Sequence, residues 1–175
     1  MSWPLVALMG VVVVAGLWKY RDDYRKYGRT TILGASAILA VFFMPNLIVG
    51  LFVPWIGLPV TALQAVGFVL ITAGSMACLV PTIGFRSAKK VVGMEPGGLE
   101  VSGLYRYSRN PQYIGYGLFL LGWALCGHSA KTFVGVALYW VVVHLTILIE
   151  EEHLIEVFGD AYKDYKDSTP RYLFH

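Results

Sequence analysis

Residues 111–152 read PQYIGYGLFLLGWALCGHSAKTFVGVALYWVVVHLTILIEEE, which is two apolar runs separated by a short turn at His128-Ser129. The runs cover residues 111–127 and 131–149, and a helix that crosses a bilayer needs about 20 mostly apolar residues. Because the turn is so short, the two helices must form an antiparallel hairpin. A basic segment precedes the hairpin and three glutamates end it, so the pattern predicts opposite charges together at one membrane face.

The rest of the chain has the same apolar character. Of its 175 residues, 57% are hydrophobic and 14% are charged, and the mean hydropathy is +0.61. A soluble domain carries roughly 25% charged residues. Three further apolar runs cover residues 3–18, 31–53 and 58–80. We therefore predict an all-α integral membrane protein, a single membrane domain over 1–175 with about five transmembrane helices.

Several local features set the expected ends of these spans. Pro45 should kink the second span or end it early, and the third should stop near Pro81. Residues 82–110 form a polar loop, and the tail 150–175 is too polar for the hydrocarbon. The N-terminus has no basic segment or cleavage site of a signal peptide, so the first run is expected to be a retained span. The two cysteines lack metal-site spacing, and no metal is predicted.

The basic residues of the short loops predict the orientation. The loop after the first span has five, and so has the loop after the third, whereas the turn after the second has none and the turn after the fourth has only Lys131. Cytoplasmic loops are enriched in lysine and arginine. The pattern places the N-terminus outside, and the loop 82–110 and the C-terminal tail in the cytoplasm.

The fourth span opens with Arg109-Asn110-Pro111. Asparagine is a good N-cap and proline suits the first helical position, so a helix should start here. Its free backbone N–H groups form a site for a carboxylate or phosphate, which Arg106 and Arg109 would strengthen. The alternative is that these arginines face anionic lipid headgroups.

Glu150-Glu151-Glu152 stands directly at the end of the fifth apolar run. Three adjacent carboxylates repel one another and cost desolvation. Successive helical residues are rotated by about 100°, so at least one glutamate must face the bundle. The helix is expected to continue to Phe158, with Gly159 as its C-cap. His144 shares a face with Glu151, and we expect it to be a hydrogen-bonded packing residue.

Two segments together resemble a known family. Residues 103–115, GLYRYSRNPQYIG, resemble the G-x-Y-R-x-x-R-[HN]-P-x-Y-x-G signature of the isoprenylcysteine carboxyl methyltransferases and related phospholipid methyltransferases. The tail is similar to the E-E-x-x-L-x-x-x-F-G-x-x-Y-x-x-Y ending of that family, with the following matches: Glu150-Glu151, Leu154, Phe158-Gly159, Tyr162, Tyr165 and Pro170-Arg171.

The resemblance implies S-adenosylmethionine as methyl donor, bound on the cytoplasmic side by the last hairpin and the tail. It implies a cofactor site made of these residues: Tyr105, Arg109, Asn110, Pro111, Tyr113, Gly115 and Glu151. It also implies catalytic roles for Arg106, Glu150 and Glu151. The acceptor would be lipophilic, resembling an isoprenylcysteine carboxylate or a phospholipid in the membrane, with no nucleic acid and no metal. Many carboxyl methyltransferases of the family have histidine at the position of Asn110, which leaves the acceptor open.

Two alternatives remain at this stage. Membrane reductases of the sterol and steroid type use NADPH and have a related arginine-proline-tyrosine-glycine motif. A dinucleotide with a 2′-phosphate would require more basic residues than the glutamate cluster allows. A non-catalytic scaffold or small transporter would place charges at a midplane cavity, whereas this chain keeps them at one interface.

Overall fold

The computed structural model describes residues 3–52, 61–84, 98–127 and 129–173. Within these ranges the fold is entirely helical, with six α-helices, one short 3₁₀ turn and no strand. The elements are α1 (Trp3–Tyr27), α2 (Ile32–Phe52), α3 (Ala62–Gly84), the 3₁₀ turn (Gly103–Arg106), α4 (Pro111–Gly127), α5 (Ala130–Phe158) and α6 (Asp160–Ser168).

Three of these helices are long and apolar enough to cross a membrane. The apolar stretches are Ile32–Gly50 in α2, Ala62–Pro81 in α3 and Ala130–Phe158 in α5, with hydropathies of 2.0 to 2.2. The predicted all-α architecture is confirmed for the described residues, and so is the presence of helices able to span a bilayer.

The two prolines do not end their helices. α2 continues past Pro45 to Phe52, and α3 continues past Pro81 to Gly84, so the expected stop near Pro81 comes three residues later. Helices in membranes tolerate proline because neighbouring groups satisfy the freed backbone atoms. Next to Pro45, the side-chain amide of Asn46 donates to the backbone oxygen of Phe42 at 2.7 Å.

α1 is longer than its apolar run, since it continues through the charged cluster to Tyr27. Ion pairs four residues apart support this extension. One joins Lys19 to Asp23, and another joins Lys26 to Asp22 at 3.0 Å. The predicted end at residue 18 described only the apolar part of the helix.

α3 and α4 lie against each other through glycines on both helices. A Cβ atom at Gly115 would lie 2.7 Å from the backbone nitrogen of Cys78 and 2.8 Å from the backbone oxygen of Gly74. One at Gly122 would lie 2.6 Å from the oxygen of Gly67. The two helices are thus antiparallel and in backbone contact, as small residues permit in membrane bundles.

α5 lies at the centre of the bundle and contacts α1, α2 and α4. Its Tyr139, Val143 and Ile147 are fully buried with Leu120 of α4. At its polar end α5 terminates at Gly159, whose φ is +55° and whose N–H donates to the oxygen of Ile155 at 2.9 Å. The predicted continuation to Phe158 is confirmed. The break lets α6 turn back toward the start of α4.

Candidate functional site

A cavity of about 210 Å³ lies where the polar ends of α1, α4 and α5 meet α6 and the segment before the 3₁₀ turn. Both sequence motifs contribute to it, as the antiparallel hairpin predicts. Its lining includes six of the residues singled out from the sequence: Tyr105, Arg109, Asn110, Tyr113, Glu150 and Glu151. Apolar side chains complete part of the wall, among them Leu99, Ile147 and Leu154.

Glu150 is bound by tyrosine hydroxyls. Tyr113 of α4 donates to its Oε1 at 2.7 Å, and Tyr20 of α1 donates to the same oxygen at 2.8 Å. The ring of Tyr113 is held by a stacked contact with Phe42, at 5.8 Å between centroids. Glu150 is thus fixed in the cavity wall by neutral donors, and no cationic side chain among the described residues pairs with it.

Glu151 is bound by arginines instead, and its side chain is only 7% exposed. Arg171 donates to its two oxygens from Nε and Nη2, at 3.0 and 2.7 Å. Arg109 Nη1 lies 2.8 Å from Oε1, an ion-pair distance without hydrogen-bond alignment. Bidentate arginine–carboxylate pairs are strong and directional, so Glu151 joins the start of α4 to the C-terminal segment.

Two guanidinium nitrogens of Arg109 have no hydrogen-bond acceptor among the described residues, although one of them, Nη1, lies at ion-pair distance from Glu151. The side chain of Arg109 is 7% exposed, and neither Nε nor Nη1 finds a hydrogen-bond partner among the described residues. The Tyr162 hydroxyl bonds to the same side chain. Buried guanidinium nitrogens are costly to leave unsatisfied. Because Arg109 lines the cavity, these two atoms suit an anionic ligand group there.

The C-terminal segment closes over the start of α4 through backbone contacts. The N–H of Arg109 donates to the oxygen of Pro170 at 2.9 Å, and the side-chain amide of Asn110 donates to the oxygen of Arg171 at 3.0 Å. Asn110 therefore tethers the tail here. α4 begins at Pro111 as predicted.

α6 is fixed to the 3₁₀ turn in a similar way. The Tyr165 hydroxyl donates to the backbone oxygen of Tyr105 at 2.7 Å. Burial raises the pKa of Tyr165 to about 12, so this donor stays protonated at neutral pH. The cavity lining includes three aromatic residues of this region, Tyr105, Tyr162 and Tyr165.

Three predicted site residues lie outside the cavity lining. Arg106 ends the 3₁₀ turn and is exposed. Pro111 is buried as the first residue of α4, where its ring serves the helix start. Gly115 faces α3, and the close approach that it permits is to the backbone of Gly74 and Cys78.

Some of the cavity residues were not singled out as site residues from the sequence. Tyr20 and Tyr24 come from α1, and His153 follows the glutamates on α5. Arg171, noted only as part of the tail, binds Glu151. None has a local sequence pattern that marks it, because each partner lies far away along the chain. His144 Nδ1 lies 3.0 Å from the Tyr172 hydroxyl, so it is the hydrogen-bonded packing residue expected.

The sequence of the chain matches a known protein family. Residues 62–161 match the family model described as phospholipid methyltransferase, which is more than half of the chain. The protein therefore belongs to this family of methyltransferases. The matched segment contains α3, α4, α5 and both glutamates of the cavity, and it leaves out α1 and α2.

Two curated relatives are named protein-S-isoprenylcysteine O-methyltransferase. The one from Schizosaccharomyces pombe is 33% identical over 73 residues, covering 41% of this chain and 31% of the relative. The one from Dictyostelium discoideum is 32% identical over 72 residues, covering 41% and 30%.

Another relative is methanethiol S-methyltransferase 1 of Bradyrhizobium diazoefficiens, 33% identical over 63 residues, covering 36% of this chain and 21% of the relative. All three alignments thus span less than a third of the relatives' length. No solved structure matches the sequence significantly.

Proposed function

We propose that this protein is an S-adenosylmethionine-dependent methyltransferase that acts on a lipophilic acceptor at the cytoplasmic membrane interface. One observation carries the proposal. The two motifs converge on a single cavity, where Glu150 is held by neutral hydroxyls and two buried guanidinium nitrogens of Arg109 have no hydrogen-bond acceptor among the described residues. The cavity thus offers separate places for a cation and for an anionic group.

The residues present fit S-adenosylmethionine. Its sulfonium is a cation, which tyrosine π faces and a carboxylate without a cationic partner among the described residues stabilise. Its methionyl carboxylate suits the Arg109 guanidinium, whose Nε has no acceptor among the described residues, together with the N-terminus of α4. When bound, this cofactor supplies an electrophilic methyl group. Its ammonium and ribose hydroxyls suit the carboxylates of Glu150 and Glu151.

The protein's own part in the reaction is to position two groups and to exclude water. Methyl transfer from a sulfonium is an in-line displacement, so alignment accounts for much of the rate. The Tyr113–Glu150 hydrogen bond and the Glu151–Arg171 pair fix the wall of the cavity. Tyr105, Tyr162 and Tyr165 also line it. These contacts hold the reacting groups in a site shielded from solvent.

The acceptor is proposed to be lipophilic, resembling an isoprenylcysteine carboxylate or a phospholipid. The cavity lies at the ends of membrane-length helices and includes apolar side chains such as Ile147 and Leu154. Two relatives carry isoprenylcysteine in their names. Arg106, exposed beside the cavity on the 3₁₀ turn, is placed to meet an acidic headgroup.

The proposal includes five transmembrane helices, with α1 and α4 added to the three that are long and apolar enough to cross a membrane. α4 has 17 residues and lies against α3 over its length, and α1 begins with an apolar half. The basic loops then place the N-terminus outside, and the cavity and the C-terminus in the cytoplasm.

Calorimetric titration of the purified protein with S-adenosylhomocysteine and with NADPH tests the cofactor. We expect the first to bind and the second not to. Glu150→Gln should weaken binding by about tenfold, because hydrogen bonds to charged groups contribute about 1.5–3 kcal/mol. Glu152→Gln is the matched control, since Glu152 pairs with Arg21 and Arg25 outside the cavity.

Binding of NADPH alone would overturn the proposal in favour of a reductase. Equal losses in the two glutamine variants would contradict the role of the cavity. Transfer of labelled methyl groups from S-adenosylmethionine into a lipid extract would then identify the acceptor class.

A further inference from the structure

α1 lies outside the segment that matches the family, yet it forms part of the cavity wall. The matched residues are 62–161, while Tyr20 and Tyr24 of α1 both line the cavity. Tyr20 is 4% exposed and packs with Leu17, Ile38 and other residues of a small core cluster. Its position is therefore set by the bundle and does not depend on a ligand.

The hydroxyl groups form a directed chain that ends on Glu150. Tyr20 donates its only proton to Glu150 Oε1 at 2.8 Å. In its contact with Tyr24, at 3.0 Å between the hydroxyl oxygens, Tyr20 must therefore be the acceptor, because a phenol has a single O–H. The chain runs from Tyr24 to Tyr20 to Glu150. The ring of Tyr24 is stacked on His153, with centroids 4.2 Å apart.

Two donors on one oxygen restrict the carboxylate. The last torsion of a glutamate side chain has a broad preference and is easily rotated. Tyr113 reaches Oε1 from α4 and Tyr20 reaches it from α1. Because the two hydroxyls come from different helices, rotation of the carboxylate away from this position would weaken its hydrogen bonds to both.

We propose that Tyr20 is a positioning residue for the cofactor site: it orients the Glu150 carboxylate from α1, which makes α1 an essential wall of that site. This inference rests on the proposed function. Tyr20 lies outside the residues that match the family model, and its effect on the cofactor passes through Glu150. The ion pairs of Arg21 and Arg25 with Glu152, at 2.8 and 2.7 Å, hold the same part of α1 against α5.

The test is S-adenosylhomocysteine binding by calorimetry in detergent. Tyr20→Phe keeps the ring and removes the hydroxyl, and we expect affinity to fall by about threefold to tenfold. This is less than the full cost of one hydrogen bond to a charged group, because Tyr20 acts on the cofactor only through Glu150 and the Tyr113 hydrogen bond remains. Tyr24→Phe should cause a smaller loss, because its hydroxyl reaches Glu150 only through Tyr20. Tyr27→Phe is the control, since Tyr27 is 60% exposed at the end of α1.

A double-mutant cycle separates positioning from a merely structural effect. In a Glu150→Ala background, Tyr20→Phe should change the affinity by less than about twofold, because its target is gone. Unchanged binding in Tyr20→Phe, an equal loss in the Glu150→Ala background, or a larger loss in Tyr24→Phe would each overturn the inference. If the unaltered protein fails to bind S-adenosylhomocysteine, the proposed function fails as well, so the two failures are distinguishable.

Discussion

Glu150, Glu151 and Glu152 are consecutive on α5, yet each carboxylate has a different set of partners. Two tyrosines bind Glu150, two arginines bind Glu151 in a buried pair, and Arg21 and Arg25 bind Glu152 near the surface. A helix rotates by about 100° per residue, so three neighbours must face three directions. Only Glu150 has no cationic partner among the described residues, and for this reason it is the carboxylate best suited to a cationic ligand.

The buried and exposed pairs should differ in their contribution to stability. Arg171→Ala should lower the free energy of unfolding by about 1–3 kcal/mol, because Glu151 would keep only the poorly aligned Arg109. Arg21→Ala should lower it by less than about 1 kcal/mol, since the pair with Glu152 is solvated. Denaturant unfolding in detergent measures both. Equal effects would show that the Glu151–Arg171 pair is no better shielded from solvent than the Glu152–Arg21 pair.

Tyr165 predicts a pH dependence at the alkaline end. Burial raises its pKa in the folded protein from 10.0 to about 12. Above pH 10 the unfolded chain loses the phenol proton while the folded protein retains it. The contribution of Tyr165 is thus complete below pH 10 and is lost as the pH rises toward 12. Tyr165→Phe should give a flatter decline in the free energy of unfolding over this range. A decline as steep as that of the unaltered protein would contradict the assignment.

At the scale of elements, helix ends with a local cause were predictable and the others were not. Pro111 starts α4 and Gly159 ends α5 because each acts on its own backbone. α3 continues beyond Pro81 to Gly84, as membrane helices can where neighbouring groups satisfy the backbone oxygen that a proline leaves unpaired. The apolar pattern alone predicts too short an α1. Apolar content indicates which residues can be buried in lipid, whereas a helix can continue through charged residues, as α1 does.

The candidate site was predictable only along the hairpin. Antiparallel helices joined by a short turn bring Tyr113 and Glu150 together whatever else packs around them. The partners from outside the hairpin, Tyr20 and Arg171, depend on how α1 and the tail fold back. Gly115 was expected at the cofactor, but glycine equally serves close helix packing, and the sequence does not distinguish the two uses.

Gly115→Ala tests that packing role. The added Cβ would lie 2.7 Å from a backbone nitrogen of α3, and overpacking of this kind costs about 1–3 kcal/mol. Gly10→Ala in α1 is the control, because nothing lies within 4 Å of its Cβ position; it should leave stability unchanged or slightly higher. Unfolding in detergent measures the difference. The affinity of the folded variant for S-adenosylhomocysteine should stay unchanged. A loss of affinity without a loss of stability would instead indicate that Gly115 contacts the cofactor.

At the scale of the whole molecule, the proposed orientation puts the two ends of α5 on opposite sides of the membrane. In a variant with both native cysteines replaced by alanine, single cysteines can be introduced at Arg29, Lys131 and Asp164, all exposed. Arg29→Cys and Asp164→Cys should react with an impermeant maleimide only from the cytoplasmic side of sealed vesicles, and Lys131→Cys only from the other side. Labelling of all three from one side would exclude α5 as a span.

The three glutamates of α5 also make the fold sensitive to helical phase. One inserted residue upstream of Glu150 would rotate the whole cluster by about 100° about the helix axis. Each set of partners would then face the position of a different glutamate. These partners are the tyrosines of α1 and α4, the arginine of the tail, and the arginines of α1. A rotation by one residue would therefore exchange the surroundings of all three carboxylates, which are neutral hydroxyls, buried arginines and solvated arginines. We therefore expect the protein to tolerate insertions and deletions in α5 far less well than single substitutions. The number of residues in α5 is itself a requirement of the fold.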